Sequence, residues 1–349
     1  MAAYITVKNL QKTFKVPIRK NGVKEALKSF FKREYKIIKA IDDISFSIGK
    51  GEIVGYIGPN GAGKSTTIKI LTGVLTPTSG TCKVGNIVPW KDRKKYVSKI
   101  GVVFGQRSQL WWDIPAIDTF DLLKDIYKIE EKEYIQTRDE LIKLLSLEDI
   151  VKVPVRQLSL GQRMRCEIAA SLLHKPEILF LDEPTIGLDA VSKVIVRNFI
   201  KKINKEQKVT VILTTHDMSD IESLAKRVIM IGNGKVLYDG TLPNLKKKYG
   251  VNKLVHVTTK EKINKRIHGV IEKKKVTDGY KFTIDSSVIS ISSFLNKISK
   301  DISIEDIDIS DETLDNIIIK LYEDFNIWWH IYLILNYVLL QVFSIEPVL

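Results

Sequence analysis

Cysteine is scarce in this chain, and an apolar leader is missing. The 349 residues include two cysteines, Cys82 and Cys166, which do not have the spacing of a metal site. Such low usage fits a protein of the reducing cytosol. The N-terminal sequence MAAYITVKNLQKTF lacks the apolar core of a signal peptide. We therefore expect this part of the protein to remain inside the cell.

The composition is that of a folded protein, with 44% apolar and 28% charged residues, and the length suits two domains. A net charge of +14 raises the question of nucleic acid or anionic lipid as a partner. Solvated lysines in a chain rich in Lys and Ile explain the charge more simply. The sequence has no nucleic-acid-binding module and no aromatic–basic pattern of an RNA-binding sheet, so no nucleic acid partner is expected.

A glycine-rich loop, GPNGAGKST at 58–66, separates a predicted buried strand at 52–57 from a predicted helix at 65–71. Its glycines allow backbone dihedrals that are closed to residues with a β-carbon. The amide N–H groups can then point at phosphate oxygens, helped by the positive end of the helix. This context favours nucleotide binding over a chance glycine-rich turn. The predicted binding residues are Gly58, Pro59, Asn60, Gly61, Ala62, Gly63, Lys64, Ser65 and Thr66.

Charged and hydroxyl side chains of two motifs are candidates for metal binding and catalysis. Lys64 is predicted to reach the β- and γ-phosphates, and the Ser65 hydroxyl to bind Mg²⁺. A second buried strand, at 178–181, ends at Asp182 and Glu183. Asp182 at the strand tip can hold Mg²⁺, and Glu183 can orient and partly deprotonate the attacking water. Taken alone, such a strand often just enters a turn, but the upstream lysine favours the functional interpretation.

A third apolar strand, at 209–213, leads to His216. A histidine at the carboxyl end of a strand in such a sheet faces the ligand crevice. There it can contact the γ-phosphate or position Glu183, although a single histidine is more often structural.

In their order along the chain, these motifs resemble the nucleotide-binding subunit of an ABC transporter, from residue 1 to about 245. The resemblance implies a P-loop α/β domain with a mixed core sheet, an antiparallel β subdomain and a helical subdomain at about 107–175. The matching motifs are Walker A at 58–66, the Q-loop Gln106, the signature LSLGQ at 158–162, Walker B at 178–183, the D-loop at 186–189 and the switch His216.

The resemblance also implies roles for individual residues. Lys64, Glu183 and His216 would be catalytic, while Ser65, Gln106 and Asp182 would hold Mg²⁺. The signature would cover the nucleotide of the other subunit in a dimer, with Asp189 communicating across the interface. Its residues are Ser159, Leu160, Gly161 and Gln162, where leucine stands at a position that is commonly glycine; we expect function to survive this change.

The family has an aromatic residue that stacks on adenine, and the resemblance implies Phe14 for this role, with Tyr35 as the second candidate. The alternative is that Phe14 is only a half-buried strand residue. The run GVVFGQRSQLWWDIP at 101–115 is similar to exporter-type subunits with separately encoded permeases. Trp111 and Trp112 within it are either exposed anchors for the permease or are buried between subdomains.

The expected function is therefore that of an ATP-hydrolysing subunit that drives transport, in the direction of export, through a separate membrane permease. It would act as a homodimer or heterodimer of ATPase subunits, peripherally at the cytoplasmic face of a bacterial-type cell membrane, with ATP and Mg²⁺. The alternative is a soluble ABC ATPase of translation or DNA maintenance. Translation factors of that kind carry two motif sets, and repair ATPases carry a long insert between Walker A and the signature, whereas this chain has neither feature.

Three segments lie outside the motifs. A basic insertion at about 17–39 has the pattern of an amphipathic helix. Such a helix can bind an anionic membrane surface or a permease loop, and it can equally well pack on its own domain. Residues 250–322 alternate short strands at 254–258, 280–284 and 302–309 with helical stretches at 288–298 and 314–322. They predict a small α+β accessory domain, with Asp311 as the cap of its last helix. The apolar tail at 323–349 contains 17 residues that would span about 25 Å as a helix, which is marginal for a bilayer. It is an interfacial anchor, a partner-binding helix or, as we favour, a frameshift product.

Overall fold

The computed structural model describes residues 3–17, 35–105, 108–263 and 266–325. The predicted helix of the basic insertion, Gln106 and the apolar tail from residue 326 lie outside these ranges. The chain divides into two compact units, one ending at Gly240 and the other beginning at Thr241.

The first unit alternates strands and helices. Its elements are β1 (Ala3–Pro17), β2 (Tyr35–Gly49), β3 (Ile53–Ile57), α1 (Lys64–Leu71), β4 (Ser79–Val84), α2 (Arg93–Val97), β5 (Ile100–Phe104), α3 (Ala116–Tyr127), α4 (Glu131–Leu144), α5 (Leu160–Ala170), β6 (Ile178–Asp182), α6 (Ala190–Gln207), β7 (Thr210–Thr214), α7 (Met218–Leu224), β8 (Arg227–Gly232) and β9 (Lys235–Thr241).

The central sheet of this unit has the strand order β5-β6-β7-β3-β8-β9. The pairs from β5 to β8 are parallel. Because parallel strands are covered on both faces, they consist of nearly continuous apolar residues, and every residue of β7 is buried. β8 and β9 are joined by the tight turn Asn233–Gly234, which makes this last pair an antiparallel hairpin and the sheet mixed.

A second sheet of the first unit, β2-β1-β4, is antiparallel. Alternating side chains of β1, such as Ile5 and Val7, point to one face and are buried. They share a hydrophobic core with Tyr56 of β3 and Ile68 of α1. This sheet thus packs on the side of the central sheet that carries the glycine-rich loop and its helix.

The helical part of the first unit comprises α3, α4 and α5, and a 3₁₀ turn at Val155–Gln157 leads into α5. Phe120 of α3, Tyr134 of α4 and Met164 of α5 are buried among them. This region lies within the predicted helical subdomain, and the mixed sheet and antiparallel sheet agree with the predicted fold class.

The second unit is a two-layer α+β structure. Its elements are α8 (Leu242–Tyr249), β10 (Asn252–Thr258), β11 (Val270–Val276), β12 (Gly279–Asp285), α9 (Ile291–Ile298), β13 (Asp306–Asp311) and α10 (Leu314–Asp324). The antiparallel sheet has the order β11-β12-β10-β13, and Phe294 of α9 packs on its buried face. Edge strand β11 carries three consecutive lysines, Lys273–Lys275, and edge strand β13 carries Asp306, Asp308 and Asp311.

Two local predictions for this unit are wrong. The last helix is capped by Thr313, whose side chain accepts a hydrogen bond from the amide of Asn316, and not by Asp311. Asp311 ends β13 and pairs with Lys253 instead. The strand predicted at 302–309 begins only at Asp306. Among the helices within the described ranges, none is both long and apolar enough to cross a bilayer.

Candidate active site

The glycine-rich loop takes a backbone path that needs glycine. Gly61 has φ +78° and Gly63 has φ +104°, both in the region that side chains disfavour. A β-carbon on Gly63 would also lie 2.5 Å from the carbonyl oxygen of Ala40 in β2. Gly63 is the N-cap of α1, so the loop lies at the positive end of that helix. This is the geometry of a phosphate-binding loop.

Lys64 lies at the first position of α1 and is almost fully buried. Its Nζ donates hydrogen bonds to the carbonyl oxygens of Gly58 at 2.6 Å and Pro59 at 3.1 Å. Burial lowers the pKa of Lys64, while the charges of Glu183 and Asp182 act to raise it. The two carboxylates at the end of β6 are therefore within electrostatic reach of the lysine, as expected for one site.

The ends of strands β6 and β7 bring together Glu183 and His216, the other two predicted catalytic residues. The Thr214 hydroxyl donates to Asp182 Oδ1 at 2.5 Å. Glu183 has φ +57°, a conformation that costs energy for a residue with a side chain and is concentrated at functional sites. Its Oε1 lies 2.9 Å from His216 Nε2. The arrangement gives a carboxylate oriented by an imidazole, which suits a base that acts on water.

A buried network behind these residues was not predicted from the sequence. The fully buried carboxylate of Asp220 accepts hydrogen bonds from Thr185, from Thr215 at 3.2 Å, and from Arg197 Nε at 2.6 Å. Thr185 follows Glu183 closely, and Thr215 directly precedes His216. The network thus fixes both turns that carry the acid and the histidine. Its only sequence signal is an aspartate one helical turn after His216.

The signature segment forms the beginning of α5. Ser159 is the N-cap: its Oγ accepts from the Gln162 amide at 3.2 Å, while Gln162 Oε1 accepts from the Ser159 amide at 2.8 Å. This reciprocal pair is a capping box. A β-carbon on Gly161 would lie 2.8 Å from Ser192 Oγ of α6, so glycine permits the close packing of the two helices.

The D-loop lies directly against the signature. Asp189 caps α6 by accepting from the amide of Ser192 at 2.8 Å. Leu160 Cδ2 lies 2.6 Å from the position that a β-carbon on Gly187 would take, and Gly187 has φ +67°. The leucine that departs from the common signature is thus accommodated against a glycine.

The candidate adenine-stacking residues lie on the antiparallel sheet. Phe14 is half-buried on β1 and pairs with Ile38 of β2. Ile38 precedes Ala40 by two residues, and the carbonyl of Ala40 lies close to Gly63 of the glycine-rich loop. The Lys12 ammonium lies 5.2 Å from the Phe14 ring centroid. Tyr35 starts β2 and is 52% exposed. Phe14 is accordingly on the loop's side of the unit, whereas Gln106 lies outside the described residues.

Trp111 and Trp112 are both surface residues, with 59% and 53% of each residue exposed. The Arg163 guanidinium of α5 lies 5.8 Å from the Trp112 ring centroid. The alternative that both tryptophans are buried between subdomains is therefore wrong.

Comparisons with known proteins agree with this geometry. A model of the ABC transporter family matches residues 41–186. The ABC transporter ATP-binding protein NatA of Bacillus subtilis is 35% identical over 215 residues, which cover 62% of this chain and 87% of NatA. The chain belongs to the ABC transporter family. The linearmycin resistance ATP-binding protein LnrL of the same organism is 34% identical over 227 residues, 65% of this chain and 72% of LnrL.

A solved ABC cassette shares the fold. It is a dimer in a post-hydrolysis state bound to ADP and Pi, with a TM-score of 0.57 and 29% identity over 68% of this chain and 98% of the cassette. This ABC protein is thus an ATP-binding and ATP-hydrolysing subunit of the transporter type, as predicted. A soluble ATPase of translation or DNA maintenance is not favoured.

Proposed function

We propose that this ABC subunit binds Mg-ATP at two composite sites of a dimer and uses hydrolysis to drive export through a separate permease. The observation that carries the proposal is the Glu183–His216 pair at 2.9 Å, close to the buried Lys64. Glu183 activates the attacking water, and His216 holds the Glu183 carboxylate or contacts the γ-phosphate. Lys64 would exchange its backbone carbonyl partners for phosphate oxygens. Phosphoryl transfer needs mainly such positioning and charge neutralisation.

The donor set near the loop suits Mg²⁺. Magnesium prefers hard oxygen ligands and binds proteins through one or two carboxylates plus substrate phosphates. The exposed Ser65 hydroxyl, at the second residue of α1, and the Asp182 carboxylate at the end of β6 are oxygen donors of this kind. With Gln106 they would hold the ion, which would neutralise charge on the phosphates.

The signature would act on the nucleotide of the other subunit. Ser159 and Gly161 lie at the positive end of α5, which favours a negatively charged ligand. Asp189, packed beside them, would communicate between the two sites. The dimeric cassette described above supports this arrangement. The partner ATPase is a second copy or a related subunit.

The permease contact would use the exposed Trp111 and Trp112, because aromatic side chains that become buried often dominate binding at protein interfaces. Export is supported by the likeness to a relative named for resistance. The subunit would work peripherally at the cytoplasmic face of the membrane, and the basic insertion is a candidate for direct contact with that surface.

The test is to compare two variants of the full chain. We expect Glu183→Gln to lower kcat for ATP by about 10²- to 10⁴-fold, the size of a general base contribution, while keeping ATP affinity and forming an ATP-dependent dimer. Lys64→Ala should lose both binding and turnover. The measurements are phosphate release, nucleotide binding by calorimetry and size-exclusion chromatography with and without ATP.

Glu148→Gln, on an exposed loop, is the matched control and should behave as wild type. Wild-type turnover by Glu183→Gln would remove its role as the base. An oligomeric state that ATP does not change in this variant would contradict composite sites.

A further inference from the structure

Glu167 is a buried carboxylate on α5, about two helical turns beyond the signature Ser159. It receives hydrogen bonds from the segment that follows the Q-loop. The Ser108 hydroxyl donates to Oε1, and the Gln109 amide donates to Oε2 at 3.2 Å. The Gln109 side chain also donates to the Glu167 carbonyl at 3.0 Å. Three hydrogen bonds therefore join two consecutive residues to one position of the signature helix.

A hydrophobic residue would serve the core better than this carboxylate if packing were its only role. Burial raises the pKa of Glu167, and the hydrogen bond from Ser108 opposes that rise. A buried carboxylate costs free energy unless its oxygens are satisfied. The donors that satisfy it come from a surface segment, since Ser108 and Gln109 are themselves exposed. The interaction therefore ties a surface segment to a helix.

The two connected parts belong to different functional motifs. Ser108 lies two residues beyond Gln106, in the segment that leaves β5 of the central sheet. The helix that carries Glu167 starts at the signature. By contrast, Arg165 of the same helix donates to the carbonyls of Leu145 and Ser146, which follow α4 within the helical region.

We propose that Glu167 is a positioning residue that makes the segment at 108–110 and helix α5 move as one body. A shift of the Q-loop, when it meets the γ-phosphate and Mg²⁺ in its own subunit, would then displace the signature that covers the partner's nucleotide. This inference rests on the proposed action of the signature across the dimer. Loss of the link leaves the nucleotide-binding loop intact, so turnover should fall while ATP binding persists.

The sharpest test is Ser108→Ala in the full chain, because it removes one donor from an exposed residue without creating a cavity. We expect kcat to fall about three- to tenfold, the size of one net hydrogen bond, with KM for ATP within about twofold of wild type. Removing this donor from the buried Glu167 carboxylate costs about 1–3 kcal/mol, so the melting temperature should fall by about 2–10 °C, and kcat is measured well below it. Ser108→Thr, which keeps the hydroxyl, should restore kcat.

Ser98→Ala is the matched control. Ser98 is an exposed serine whose hydroxyl bonds only locally, to the Lys95 carbonyl at 3.0 Å. It should retain the kcat, KM and melting temperature of wild type. An equal loss of kcat in Ser98→Ala would overturn the inference.

A double-mutant cycle separates positioning from general destabilisation. Glu167→Met, which has nearly the same volume but no oxygen acceptor, should also lower kcat, and adding Ser108→Ala should lower it no further, because both changes break the same link. The inference would be overturned if the two reductions in kcat multiplied in the double variant, or if Ser108→Ala had the kcat of wild type. The proposed function would stand in either case. A wild-type protein that neither hydrolyses ATP nor dimerises with it would overturn both.

Discussion

The two units of this ABC protein differ in how many buried charges and strained backbone conformations they contain near a functional site. In the first unit, Lys64 and Asp220 are buried charges, and Glu183 holds a left-handed backbone conformation. In the second unit, two helices are capped by Ser290 and Thr313, and the cluster around Phe294 is apolar. The one buried carboxylate of the second unit among the described residues, Glu312, is paired with Lys320. No cluster of three metal-type side chains was found in either unit within the described residues.

This difference shows where function has taken precedence over stability. Buried charge and backbone strain cost free energy and persist where the surrounding structure enforces them. In the first unit, Lys64, Glu183 and Asp220 lie at or directly behind one place, where strands β6 and β7 end beside the glycine-rich loop. We expect the second unit to be an accessory, so substitutions in it should leave the chemistry largely untouched.

The largest effect is expected from Asp220→Ala in the first unit. Removing this carboxylate leaves the buried hydroxyls of Thr185 and Thr215 without their acceptor, which costs about 1–3 kcal/mol of unfolding free energy for each. The half-buried Arg197 also loses its shortest ion pair. The turns that carry Glu183 and His216 also lose their common partner, so kcat should fall at least about tenfold under conditions where the variant is folded. Denaturant unfolding and phosphate release are the measurements.

Asp125→Ala, an exposed aspartate at the end of α3, is the control for Asp220→Ala and should change neither quantity. Normal turnover by folded Asp220→Ala would mean that the buried network serves stability alone. The contrast between the units would then lose its functional meaning.

A similar loss of stability without loss of chemistry is expected from Phe294→Ala in the second unit. Phe294 is fully buried against the sheet, and truncating such a residue costs about 3–5 kcal/mol. Because the catalytic residues belong to the first unit, kcat should stay within about twofold. Calorimetry should show that one transition shifts, while phosphate release remains.

Phe325→Ala, at the exposed end of α10, is the matched aromatic control and should leave the calorimetric transition in place. If Phe294→Ala abolished turnover, the second unit could no longer be regarded as an accessory.

The smallest effect concerns a surface charge of the first unit, Glu177. It accepts hydrogen bonds from Lys99 at 2.8 Å and from Tyr4 at 2.7 Å, which lower its pKa to about 2. Because the folded-state pKa is below the unfolded value, the contribution to stability is present above about pH 4.5 and is lost as the pH falls towards 2. Glu177→Gln should therefore destabilise at pH 7 by less than about 1 kcal/mol, since the group is partly exposed.

The measurement for Glu177→Gln is the difference in melting temperature from wild type, which should shrink between pH 7 and pH 3. Glu131→Gln, another exposed acid paired with a lysine, provides the comparison. A difference that grows with acidity would contradict the assigned pKa shift.

Local patterns were sufficient to predict much of the framework. The strands that end at Asp182 and near His216 are short apolar runs, and the glycine-rich loop is a motif of consecutive residues. Both can be recognised from the local sequence. The last helix was also predicted, but its cap was not, because both Asp311 and Thr313 suit that role and backbone pairing of Lys253 with Asp311 in the sheet decides between them.

Other features depend on distant residues and were missed. Asp220 meets Thr185, and Glu167 meets Ser108, across long stretches of chain. The pattern of neighbouring residues in the sequence does not show which distant residues will be in contact. Strand β11 was missed for another reason: its charged run from Glu272 to Lys275 lacks the apolar alternation that identifies a strand, since it is an edge strand and mostly exposed.

The oppositely charged edges of the second sheet also limit how copies of this protein can associate. An isologous pair places the same strand of each copy at the two-fold axis, which would set lysines of β11 against lysines, or aspartates of β13 against aspartates. Joining β11 to β13 would match the charges but would propagate head to tail without closure. A closed dimer of this subunit must therefore form through surfaces other than these strand edges, because like charges oppose each edge pairing with its own copy.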